Sequence, residues 1–226
     1  MVSTPFTYSD IILKELDLVA LETELKKRWP YRDLWFRKQN DLWDNHSNFI
    51  YHTQEFENLI ERIEFTVKKF DLNKKHFFYY TVNRWYNYWS SRAVEQIFTG
   101  LEGVIAAENK KDRLVDFSIQ RVKFDLKTTK FPRGFGWNLK YAQSHEQKLI
   151  KWLYLNQSMG RRFHTENRLF LIVYSSDGYH YKLKAEIAWL RTVVENYVAQ
   201  FNPEQLKRPH IDETKPAYSD IIWAIR

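Results

Sequence analysis

With 226 residues, 44% of them hydrophobic and 17% aromatic, the chain suffices for one domain or for a catalytic core with a helical extension, and it is too apolar to be disordered throughout. Cysteine is absent, which excludes disulfides, thiolate metal sites and cysteine nucleophiles. The net charge of +7 is concentrated: between positions 121 and 168 eleven Lys or Arg stand against three acids, a local excess that favours a polyanionic partner such as nucleic acid and equally serves as a solvated surface.

Residues 1–18 alternate acids with apolar residues and have neither a basic start nor an apolar run, so no signal peptide is expected. No apolar stretch approaches the ~20 residues of a membrane span. A cytoplasmic protein without membrane association is therefore the expectation. Ser9 or Asp10 can cap a first helix, with Ile12, Leu16, Val19 and Leu25 as its apolar positions and Pro30 as its stop. A second amphipathic helix is predicted over 55–70, with Phe56, Leu59, Ile60, Ile63 and Val67 on one stripe, and a third over 83–100, stopped at Gly100. The aromatics of 77–89 read as core at this spacing. Base stacking is the other use for them.

Periodicity then switches to short strands, at 104–107 and through 114–129. Pro132 and Gly134-Phe135-Gly136 mark a loop, 144–159 returns to helical spacing with Leu149, Ile150, Trp152 and Leu153 inward, 168–175 reads as a buried strand, and 185–201 as a last helix. The order predicts an α/β protein, with residues 1–80 as a helical N-terminal region and 81–226 as a core ending in a helix and a tail. The pentapeptide YSDII occurs at 8–12 and again at 218–222, which chance or two similar helix starts explain.

The chemistry centres on residues 114–128, LVDFSIQRVKFDLKT. With Gln120 and Arg121 as a two-residue turn, Ile119 opposes Val122, Ser118 opposes Lys123, Phe117 opposes Phe124, and Asp116 opposes Asp125. One face then collects Phe117, Ile119, Val122, Phe124 and Leu126; the other collects Asp116, Ser118, Lys123, Asp125 and Lys127. A one-residue slip would mix the two sets, so the pattern selects this register. Gln-Arg lacks the Asn or Gly that tight hairpin turns prefer. Two facing acids repel, and a divalent cation with hard oxygen ligands, Mg²⁺ or Mn²⁺, would compensate. A solvated hairpin face, with Lys123 and Lys127 neutralising the acids, accounts for the same spacing.

An acid, a hairpin and Asp-x-Lys, preceded by a helix bearing a Glu, resembles the PD-(D/E)xK nuclease superfamily. The residues that carry the likeness are Glu95, Asp116 in VDF, and Asp125 with Lys127 in FDLKTT. The predicted elements from about 83 to 201 follow the order of that superfamily's restriction-endonuclease-like core, a mixed sheet flanked by helices; Val115 replaces the proline of the family's name. The resemblance implies a Mg²⁺-dependent endonuclease of restriction or repair type acting on double-stranded DNA. Asp116, Asp125 and the Leu126 backbone carbonyl would hold the metal, and Glu95 would complete the site. Lys127 would orient or deprotonate the attacking water. Glu102 or Glu108 could replace Glu95, and Asp112 competes with Asp116. Two-strand cutting would favour a homodimer.

Candidates for nucleic-acid contact are Gln157, Arg161 and Arg162 after the helix that follows the motif, and Lys130, Arg133 and Lys140 around the glycine loop. A polar helix end and a plain surface loop explain the same residues. The seven histidines show no H-E-x-x-H spacing, and there is no G-x-S-x-G elbow, so zinc protease and serine hydrolase chemistry find no support. The alternative function is a binding module that keeps the fold and does not cut.

Overall fold

The computed structural model describes residues 15–39, 41–108, 114–157, 166–209 and 217–226. Helix α1 (Leu18–Lys26) is capped by Asp17, whose carboxylate accepts the N–H groups of Val19 and Ala20 at 3.1 and 3.0 Å. The expected caps Ser9 and Asp10, and Ile12, lie outside the described residues. Leu16 precedes the helix instead of joining its stripe, and its N–H and carbonyl both bond to the Gln96 amide, at 2.8 and 2.9 Å. The buried face of α1 is set by Leu21 and Leu25, one turn apart, while Val19, expected inward, is 80% exposed.

After α2 (Asp41–His46), α3 (Phe56–Phe70) buries Phe56, Leu59 and Ile63, the stripe its sequence predicts. Helix α4 (Lys74–Thr99) starts nine residues before the expected position, because Asn73 caps it by accepting the His76 N–H at 3.0 Å. Its aromatics are core: Phe77, Trp85, Tyr86 and Trp89 are buried. The indole N–H groups of Trp85 and Trp89 donate to the carbonyls of Thr53 (2.7 Å) and Ile50 (2.9 Å), so burying them leaves no orphan donor.

Strands β1 (Val104–Ala106), β2 (Phe117–Ile119) and β3 (Val122–Lys130) form an antiparallel meander. The chain then passes through α5 (Leu139–Ser144) and α6 (Glu146–Gln157) to β4 (Arg168–Tyr174), and through α7 (Ile187–Ala199) to β5 (Ser219–Ile225). Strand order is β1-β2-β3-β4-β5, with β3, β4 and β5 parallel, so the protein is α/β with a five-stranded mixed sheet. The second YSDII copy enters β5 and not a helix.

Two apolar clusters cover the two faces of the sheet. One unites Phe117, Phe124, Leu169 and Leu171 with α1, α4 and α7; the other unites Phe170, Ile172 and Ile221 with α5 and α6. Coverage on both sides explains why β4 is apolar along nearly its whole length. No helix among the described residues is long and apolar enough to cross a membrane.

Candidate active site

The β2–β3 turn is Gln120-Arg121, as the register requires, and both residues take positive φ (47° and 69°), the backbone that a tight primed turn demands. The pairing runs as expected from Ile119↔Val122 to Phe117↔Phe124 and stops there. Asp116 does not sit opposite Asp125. The Asp116 N–H donates to the Phe124 carbonyl (2.8 Å), while the Asp125 N–H turns to β4 and donates to the Asn167 carbonyl (2.9 Å). The physical reason is a change of partner: at Asp125 strand β3 passes from its antiparallel ladder to its parallel one.

That change exposes one backbone edge. Since Asp125 addresses β4, the N–H and carbonyl of Leu126 address the other side, which β2 has left. The Leu126 N–H donates to Asp116 Oδ2 at 2.7 Å. The side chain of Asp116 thus continues the ladder where its backbone ends, and the Leu126 carbonyl lies on the same edge.

Asp116 is partly buried, and its carboxyl is pushed up to about 6. Burial is the main cause; the negative charges of Asp125 and Glu95 add to it, while the Leu126 N–H and Lys127 oppose it. Asp125 is only 7% exposed and is held on the α6 side of the sheet. Lys127 Nζ donates to its Oδ1, and the Arg168 Nε stands 3.4 Å from its Oδ2. Arg168, itself buried, lies over the Tyr154 ring at 4.6 Å. The Tyr154 hydroxyl donates to the Glu166 carbonyl (2.7 Å) and is hydrogen-bonded to the Ser219 hydroxyl (2.7 Å), which ties the acid to β4, β5 and α6.

Glu95 reaches the site from α4 and accepts from Arg92 Nη1 at 2.5 Å. It lines, together with Asp116, Leu126, Lys127 and Arg168, a cleft of about 540 Å³. Glu102 and Glu108 are exposed and line no part of that cleft, and Asp112 lies outside the described residues. Among the described residues, no three His, Asp or Glu side chains gather into a ready metal cage.

Lys130 lines the same cleft and pairs with the Asp33 carboxylate. Arg133 is exposed beside the loop, where its charge and that of Lys130 help to depress His180, after burial as the main cause. Lys140 is exposed on α5. Gln157 ends α6; its side chain, Arg161 and Arg162 lie outside the described residues.

Sequence reading missed Arg168, Tyr154 and Asn167. Asn167 donates through Nδ2 to the Lys123 carbonyl (3.0 Å) and accepts the Tyr218 N–H (2.8 Å), so it joins the entrances of β3, β4 and β5. A charge heading an otherwise apolar strand, as in NRLFLIVY, is the signal that could have exposed Arg168. No family model, curated protein or solved structure matches the chain.

Proposed function

We propose that this chain is a metal-dependent nuclease of the PD-(D/E)xK type on a restriction-endonuclease-like core, and that it hydrolyses phosphodiester bonds in DNA with Mg²⁺, or with Mn²⁺ in its place. The observation that carries the reading is Asp116, a partly buried carboxylate raised by burial and by two neighbouring acids, in one cleft with Glu95, the Leu126 edge and Lys127. A hard divalent cation relieves such an excess of negative charge, and the donors facing it are all oxygens. The donor chemistry therefore fits the metal. Asp116, Asp125 and the Leu126 carbonyl would hold it, with Glu95 completing the set.

When bound, the ion supplies an acidified water and a counter-charge for the phosphoryl oxygens. The chain's own residues do the rest. Arg168 and Tyr154 fix Asp125 from behind, so its carboxylate is oriented before substrate arrives. Lys127, with its side chain 40% exposed, can leave Asp125 for a phosphate or for the attacking water. Closing the cleft with substrate would exclude solvent and strengthen each of these charge interactions.

Incubation of the purified chain with linear and circular DNA in Mg²⁺, Mn²⁺ or chelator tests the proposal. Cleavage that needs the metal, and that falls at least a hundredfold in Lys127→Met, is the expected result. A second reading is a nucleic-acid-binding module that does not cut. It is favoured by the neutralisation of Asp125 by Lys127 and Arg168 and by the lack of a three-ligand cage among the described residues. Salt-dependent DNA binding with no cleavage under any metal would establish that module in place of the enzyme.

A further inference from the structure

The cleft has a second pole, at the end away from Glu95, which the proposed hydrolysis does not use. Its floor is closed by Asn83, Tyr86, Tyr181 and Lys184, each less than a tenth exposed. Lys184 is the unusual member. Its ammonium donates to Asn87 Oδ1 at 3.0 Å, and among the described residues no carboxylate lies within ion-pair distance of it. Burial pushes the amine down to about 8, with the charge of Lys130 acting in the same direction and that of Asp33 against it.

Cations outnumber acids there. Asp33 serves both Lys130, which pairs with its Oδ2, and the buried Arg28, whose Nη2 is 3.8 Å from its Oδ1. Lys184 is left facing the cleft with a neutral amide. Between this pole and Asp116, Thr128 lines the cleft with a buried hydroxyl that has no hydrogen-bond partner among the described residues. A buried ammonium without a counter-ion and an unused hydroxyl are both costly unless a ligand completes them.

We propose that the Lys130–Lys184 pole is a subsite for a terminal phosphate monoester of a DNA strand, so that the substrate is a strand end rather than an uninterrupted strand. This rests on the nuclease reading of the opposite pole. Three features select a terminus. The floor is made of side chains that are themselves buried, so a strand end can be seated against it. The volume of about 540 Å³ is that of a small-molecule pocket, a size that suits a terminal nucleotide. A monoester carries more charge than the diester of a continuous backbone, which suits two lysines on one anion. From Leu126 to Lys130 strand β3 advances four residues, on the order of 13 Å at the usual rise, so the bond cut would lie close to the anchored end.

The test is binding in chelator, where no cleavage is needed. Fluorescent oligonucleotides with a 5′-phosphate, a 3′-phosphate or hydroxyls at both ends are titrated against the full chain and against Lys184→Met and Lys130→Met. Lys184→Met removes a buried charge of similar length, and Lys130 is 40% exposed at the rim, so at least the second variant keeps the fold. The subsite predicts at least a tenfold preference for one phosphorylated end, named by whichever arm shows it, and loss of that preference in both variants. Equal affinity for all three oligonucleotides, or a preference that survives both substitutions, overturns it. An end preference in chelator with no cleavage in Mg²⁺ would remove the nuclease and leave the subsite; cleavage of closed circular DNA without end preference would do the reverse.

Discussion

Replacing Asp116 by Asn should make the protein more stable while abolishing the proposed DNA cleavage. Asn keeps an oxygen for the Leu126 N–H and removes the charge that burial, Asp125 and Glu95 oppose. The carboxyl is raised from an ordinary 3.8 to about 6, and each tenfold change in proton affinity is worth about 1.4 kcal/mol, so the cost of ionising it in the fold is at most about 3 kcal/mol. Partial exposure screens this, and about 1–2 kcal/mol is the expected gain. The direction with pH follows from a folded-state value above the unfolded one. Ionisation penalises the native state fully above pH 6, the penalty shrinks as pH falls through 6, and it is gone below about 3.8, where the carboxyl is protonated in both states. Urea unfolding in chelator at pH 7.5 and at pH 5 measures this. The Asn variant should gain at pH 7.5, by about 2–6 °C if melting is followed instead, and the gain should narrow at pH 5. A variant less stable than the parent at pH 7.5, or a gain that does not change with pH, would refute the reasoning.

Asp125→Ala should cost about 3–5 kcal/mol, because it strips the carboxylate that faces the buried Arg168, whereas Asp125→Asn should fold nearly as well as the parent and still fail to cut; chemical denaturation and a cleavage assay separate the two effects. Lys127→Met should leave the unfolding midpoint within about 1 kcal/mol, since its partner is shared with Arg168, while kcat falls far more than KM changes. Arg121→Gly should stabilise the chain by about 1 kcal/mol, because Arg121 holds φ at 69°; no gain in thermal unfolding would show that the turn is not strained in solution.

Sequence showed the hairpin better than its end. Alternation from Phe117 to Leu126 was enough to set the register, because a slip would have buried Lys123 and exposed Phe124. It could not show where β3 changes partners, because that depends on Asn167, a residue more than forty positions away. The assumed opposition of Asp116 and Asp125 failed there. What replaced it is a carboxylate bonded to the Leu126 N–H, an arrangement with no signature in spacing. The positive φ of Gln120 and Arg121 was equally hidden, since neither residue type announces it. Strand β5 went unread as part of a tail: Ser219 and Ile221 are buried on one face and Ile222 on the other, and a short run buried on both faces gives neither a helical nor a strand period. The start of α4 is placed too late in the sequence, at 83, although the aromatics of 77–89 already show helical spacing, because the cap at Asn73 lies ahead of that run. The far pole of the cleft joins Asp33, Lys130 and Lys184 from three separate segments, which only the fold brings together.

In the proposed enzyme Asp116 and Asp125 share a divalent cation with the Leu126 carbonyl. Anomalous diffraction from a crystal of the full chain soaked in Mn²⁺ addresses it directly. A single strong peak in contact with both carboxylates and that carbonyl is expected, absent from an Asp116→Asn crystal treated identically. A Mn²⁺-soaked crystal with Lys127 still bonded to Asp125 and no peak at this edge of β3 would contradict it.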